Sequence, residues 1–144
     1  MTATEVATKV ESEHARLRGM AGVLQSLALR VVRGDDDLTS ALRLKGEELL
    51  ERFDRHVRWE EDYLLPLLRR AGAEGEACSE RLREDHRRQR DRLSASLADL
   101  HHDAGKPREL ARGLLDVIEW LERDMATEDA RLLGSGLLRE APPS

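Results

Sequence analysis

The segment HVRWEEDYLLP (residues 56–66) combines a helical apolar pattern with two side chains that bind metals. Glu60 follows His56 by four residues, and residues four apart lie on one face of an α-helix. Phe53 precedes His56 by three residues, and Leu64 follows Glu60 by four. Because Phe53 and Leu64 belong to the apolar stripe of this helix, we expect His56 and Glu60 to point into a hydrophobic core.

Four long helices are predicted along the 144-residue chain. Within each, apolar residues recur mostly at spacings of three, four and seven, and clusters of Gly, Asp or Pro separate one helix from the next. The predicted helices cover residues 4–33, 38–70, 76–102 and 107–133, followed by a short tail over 134–144. The length suits one domain, residues 1–144. Short connections between long helices favour an all-α, antiparallel up-down-up-down four-helix bundle.

Polar side chains occupy expected core positions on the other three helices as well. They are His14 on the first helix, His86 on the third, and Asp124 with Glu128 on the fourth. The two halves of the chain repeat one pattern, because EHAR at residues 13–16 matches DHRR at 85–88, and HxxxE at 56–60 matches DxxxE at 124–128. Two similar helical hairpins would therefore face each other across a near two-fold site.

Six metal-binding groups at one depth in the bundle predict a centre for two metal ions. Burying three carboxylates in an apolar core is costly unless positive charge compensates them, and two divalent ions supply that charge. Imidazole and carboxylate without thiolate suit iron, with manganese or zinc possible. The expected ligands are Glu60 and Glu128 as bridges, His14 and His56 for one ion, and His86 and Asp124 for the other. A buried polar network without metal is the alternative.

Composition and charge argue against several other classes of protein. The 24 basic and 29 acidic residues are interleaved and leave a net charge of −5, so we expect no nucleic-acid partner. No apolar run approaches the ~20 residues that span a bilayer. The single cysteine, Cys78, cannot form an internal disulfide, and the first ten residues lack the apolar run of a secretory signal. We expect a cytoplasmic protein, either monomeric or weakly self-associating.

The matching segments 13–14, 56–66, 85–86 and 128–129 resemble those of hemerythrin-like, or HHE cation-binding, domains. The resemblance extends over about residues 11–133. It implies a four-helix bundle with a non-haem di-iron centre, bridged by oxo or hydroxo, that meets oxygen, nitric oxide or peroxide, or that handles iron. The chain departs from the family's usual His at Asp124, and it has Arg90 where oxygen-carrying hemerythrins have a second His.

These features predict a di-iron protein that binds or reduces a small oxidant, either oxygen, peroxide or nitric oxide. If the protein is an enzyme, it is a di-iron oxidoreductase acting on one of them. Two alternatives stay open: an iron-handling or sensing module without turnover, and a helical interaction protein with a degenerate metal site. Tyr63, three residues after Glu60, is expected either to hydrogen-bond a metal-bound ligand or to pack against the bundle.

Overall fold

The computed structural model describes residues 1–102, 105–132 and 136–140 of the chain. It confirms an all-α four-helix bundle, and these residues contain no strand. The long helices are α1 (Ala3–Val32), α2 (Thr39–Arg69), α3 (Gly72–His101) and α4 (Pro107–Leu132), and a short α5 (Leu137–Glu140) follows. A 3₁₀ turn, Asp36–Leu38, links α1 to α2. The predicted end of the fourth helix at residue 133, and the break at residues 134–135, lie outside the described residues.

The third helix begins at Gly72, four residues earlier than the sequence predicts. Gly72 has a φ of +83°, which lets the chain reverse direction directly after α2. Gly75 then permits a close approach, since a Cβ atom there would lie 2.3 Å from the backbone oxygen of Leu68. These glycines therefore start α3 and tighten its packing on α2, although a sequence pattern reads them as a helix break.

Neighbouring helices pack as a ring in which α1 contacts α2 and α4, and α2 contacts α3. The seam between α3 and α4 is the least closely packed of the four. At one end of the bundle, the buried side chains of Leu137 and Leu138 on α5 extend the core. Among the described residues, no helix combines the length and the apolar character that crossing a membrane requires.

Two apolar clusters make up the core, one on each side of a polar level. On α1, Val10 belongs to one cluster and Leu17 to the other, with His14 between them. On α2, Val57 and Leu64 are divided in the same way. The buried histidines and glutamates between the clusters form what we call the polar layer: His14, His56, Glu60, His86 and Glu128. The fold thus shields this layer from solvent above and below.

Candidate metal centre

Four residues of the polar layer bring potential ligand atoms together at the centre of the bundle. His14 comes from α1, His56 and Glu60 from α2, and Glu128 from α4, and one ligand atom of each lies within 4.8 Å of the others. All four side chains are buried, and the most exposed, Glu128, is 7% accessible. Four convergent and buried donors of this kind are suited to holding a cation.

The two imidazoles of this group face each other through their Nε2 atoms, which lie 3.2 Å apart. Nε2 of His56 is also 3.3 Å from Oε1 of Glu60, and Nε2 of His14 is 3.5 Å from Oε1 of Glu128. Each histidine therefore presents the same nitrogen to the interior, with a carboxylate oxygen beside it.

His86 joins the group from α3 through Glu60. Its Nε2 atom lies 3.2 Å from Oε1 of Glu60, the same oxygen that His56 approaches from the other side. Glu60 thus stands between one imidazole on α2 and one on α3, which is a suitable position for a carboxylate shared by two ions.

The structure does not bring Asp124 into the four-residue group. Its carboxylate is half-buried and accepts a hydrogen bond at 3.2 Å from Nε2 of Gln89. Both residues line a cleft of about 170 Å³ at the α3–α4 seam, together with Asp85, Arg88 and Arg92. In the other half of the chain, Leu17 occupies the position that corresponds to Gln89, and its side chain cannot hydrogen-bond His56, the residue that corresponds to Asp124.

Two carboxylates next to the histidines contact the outer ring nitrogens. Nδ1 of His14 lies 2.6 Å from Oδ1 of Asp129, and Nδ1 of His86 lies 3.4 Å from Oε1 of Glu61. An arginine contacts each carboxylate in turn, Arg18 for Asp129 and Arg90 for Glu61. The pattern is repeated in sequence, because each acid directly follows an inner glutamate and each arginine follows its histidine by four. This regularity of spacing is the signal in the sequence that would have identified all four residues.

The outer contact fixes which ring nitrogen of His14 carries the proton. Nδ1 donates to the Asp129 carboxylate, so Nε2 keeps its lone pair and directs it inward. Burial, together with the neighbouring His56, lowers the pKa of His14. The imidazole is therefore neutral at physiological pH, which is the form that binds metals.

Glu60 and Glu128 share one negative charge in the absence of a cation. Burial, reinforced by the charge of Glu60, raises the pKa of Glu128. Burial also favours the protonated form of Glu60, but interaction with the protonated Glu128 and with His56 outweighs it and lowers the pKa of Glu60. Two buried carboxylates so close together cannot both ionise without a compensating positive charge.

The residues present fit a metal ion. In the described part of the chain, Oε2 of Glu60 and Oε1 of Glu128 are buried and accept no hydrogen bond. Buried oxygens without partners are uncommon and costly, and a cation among the two Nε2 lone pairs would satisfy them. The group offers two imidazole and two carboxylate ligands, a set that suits iron, manganese or zinc.

Comparison with known proteins agrees with this chemistry. No curated protein and no solved structure matches the chain significantly. A family model, described as the hemerythrin HHE cation binding domain, matches residues 6–134. Since this match covers most of the 144 residues and includes every member of the polar layer, the chain belongs to the hemerythrin HHE cation-binding domain family.

Proposed function

We propose that this protein binds two iron ions in the polar layer and uses them to bind or reduce a small oxidant, either peroxide, oxygen or nitric oxide. One observation carries the proposal: four buried ligand atoms from three helices lie within 4.8 Å of one another, and two carboxylate oxygens there accept no hydrogen bond from the described residues. The family supports cation binding. The identity of the metal and the small-molecule ligand are our inference from the ligand set and its burial.

The two ions would be held unequally. His14 and His56 would supply imidazole to the first ion, and Glu60 and Glu128 would supply carboxylate to both. His86 would hold the second ion with Asp124, whose carboxylate would first have to leave Gln89. The first position is therefore the stronger one, and the second is the one that can accept an external ligand. Bound iron would supply one-electron redox chemistry and coordination positions open to an oxidant.

The protein's own residues would control access and geometry. The apolar clusters on both sides of the polar layer keep bulk water out along the bundle axis. The polar cleft at the α3–α4 seam, lined by Gln89 and Asp124, is the route we assign to a small polar oxidant. Asp129 keeps His14 in the tautomer that binds metal. The orientation of this imidazole is therefore set before an oxidant binds.

Mixing iron-loaded protein with peroxide, or with nitric oxide, tests the proposal. We expect a change in near-ultraviolet and visible absorption, and steady loss of peroxide when a reductant is present. The double variant His56→Ala/Glu60→Ala should lose both iron and response. A matched control is His101→Ala/Glu47→Ala, which removes an exposed His–Glu pair 3.3 Å apart and should change neither. Iron-loaded protein that responds to none of the oxidants would contradict the proposal.

An iron-handling or sensing module without turnover is the second candidate, and the placement of Asp124 favours it. A second ion bound without Asp124 would dissociate more readily, as a storage or sensing role requires. Rapid exchange of one ion, with peroxide left unconsumed, would identify this function. Protein that binds no metal would instead indicate a helical interaction protein with a degenerate site.

A further inference from the structure

A row of three stacked rings, His56, Trp59 and Tyr63, extends along α2 from the polar layer to the protein surface. The rings of His56 and Trp59 are stacked, with centroids 6.3 Å apart and an interplanar angle of 21°. Trp59 stacks in turn on Tyr63, at 5.7 Å and 28°. Tyr63 is 49% accessible to solvent. Spacings of three and four residues place all three rings on one face of the helix, so the row begins at a ligand of the proposed centre and ends in water.

His56 differs from the other two histidines of the polar layer on its outer side. Asp129 hydrogen-bonds Nδ1 of His14, and a carboxylate oxygen of Glu61 lies 3.4 Å from Nδ1 of His86 without forming a hydrogen bond. Nδ1 of His56 has neither a hydrogen-bond partner nor a carboxylate contact among the described residues. The indole of Trp59 lies against this ring instead, and Lys9 on α1 lies over the indole, its Nζ 5.7 Å from the centroid. On its outer side His56 therefore contacts an aromatic ring, where the other two histidines contact a carboxylate.

The chain has two Trp, one Tyr and one Phe. All four are linked to His56 through ring contacts. On the inner side, the ring centroid of Phe53 lies 6.2 Å from that of His56, and the centroid of Trp120 lies 6.1 Å from that of Phe53. The inner arm passes through a phenyl ring, which is much harder to oxidise than indole or phenol. The outer arm has Trp and then Tyr, two side chains that lose an electron readily. Only the outer arm thus has the chemistry of an electron path.

We propose that Trp59 and Tyr63 form a route by which electrons reach the centre one at a time from a thiol donor at the surface. The inference rests on the proposed function, with peroxide as oxidant. Reducing one peroxide to two waters takes up two electrons and two protons. Each electron passes inward from Tyr63 through Trp59 and His56, and the phenolic proton goes to water. A thiol then returns a hydrogen atom to the Tyr63 phenoxyl radical. Two thiols join as one disulfide, which balances the peroxide consumed.

The route predicts where oxidation appears when no donor is present. Protein loaded with ferric iron, which cannot itself supply the two electrons by passing from the ferrous to the ferric state, should accumulate a tyrosyl radical when given one equivalent of peroxide. Electron paramagnetic resonance detects the radical, and peptide mass analysis should find oxidation at Tyr63 and Trp59. Adding glutathione should remove the radical. Tyr63→Phe should shift oxidation to Trp59. Trp59→Phe, which keeps an aromatic ring in place, should reduce the Tyr63 signal several-fold without changing iron content.

Trp120→Phe is the matched control, because it alters the other tryptophan, which is linked to His56 through Phe53, but leaves the outer arm intact. It should leave the Tyr63 radical unchanged. Peroxide consumption without oxidation at Tyr63, or a Tyr63 signal that survives Trp59→Phe, would overturn the route while leaving the proposed function in place. Protein that does not react with peroxide at all would overturn both.

Discussion

Asp129 on α4 accepts a hydrogen bond from Nδ1 of His14 on α1, with 2.6 Å between the two atoms. Arg18, one turn after His14, contacts the second oxygen of this carboxylate at 2.7 Å. The contact ties α1 to α4 at the level of the polar layer. It also determines that His14 offers Nε2 to the interior, so the metal-binding geometry depends on a residue outside the ligand set.

Removing the carboxylate charge of Asp129 should weaken metal binding. We expect Asp129→Asn to reduce affinity by about 10- to 100-fold, because outer partners of ligating histidines typically contribute this much. Competition with a coloured chelator measures the change. Asp62→Asn, at an exposed position of α2, is the control and should bind metal as the natural protein does. Equal affinity of both variants would show that Asp129 does not orient His14.

The metal-free protein should lose stability relative to Glu128→Gln as pH rises. Burial raises the pKa of Glu128, so the folded state holds a proton that the unfolded state releases above about pH 4.3, the ordinary value for Glu. The free energy of unfolding of the natural protein should then fall relative to the variant by up to about 1.4 kcal/mol per pH unit. Urea unfolding across pH measures this difference, which metal should reverse. A difference in free energy of unfolding between the two proteins that does not change with pH would contradict this prediction.

Replacing Asp124 should weaken binding of the second ion and leave binding of the first ion unchanged. We expect Asp124→Ala to leave the tighter binding step unchanged and to weaken the second, since Asp124 lies outside the four-residue group. Asp124→His introduces the residue type that the other half of the chain has at the corresponding position, His56. It should strengthen the second binding step. Calorimetric titration with iron under anaerobic conditions resolves the two steps. Loss of the tighter step in Asp124→Ala would contradict this assignment.

Two glycine substitutions should change stability in opposite directions. Gly75→Ala places a methyl group 2.3 Å from the Leu68 backbone oxygen, and separating α2 from α3 should cost about 1–3 kcal/mol. Gly22→Ala lies in the exposed middle of α1 with nothing within 4 Å, so it should stabilise by about 0.5–1 kcal/mol. Thermal unfolding of both variants checks the pair. A neutral Gly75→Ala would show that the α2–α3 turn is less tight than described.

The fold could be predicted from the sequence because apolar periodicity and chain breaks both point to four helices. The pattern failed at Gly72 and Gly75, which resemble a helix break by composition. Gly72 instead begins α3 with a positive φ, and the role of Gly75 depends on a close contact with Leu68, which exists only once α2 and α3 are packed together.

The site could be predicted in part, because helical spacing determines which face a side chain shares but not its hydrogen-bond partners. His14, His56, Glu60 and Glu128 meet where their spacing places them. Asp124 has equivalent spacing, yet Gln89 on the neighbouring helix hydrogen-bonds its carboxylate at the seam. Competition of this kind between helices is not visible in the periodicity of either one.

Anomalous scattering at the iron edge, from crystals of iron-loaded protein, tests the central claim most directly. The account predicts a strong peak among Nε2 of His14, Nε2 of His56 and the Glu60 and Glu128 carboxylates, with a weaker second peak towards His86. Iron-loaded crystals with no peak in the polar layer, or with iron bound solely at surface carboxylates, would contradict it.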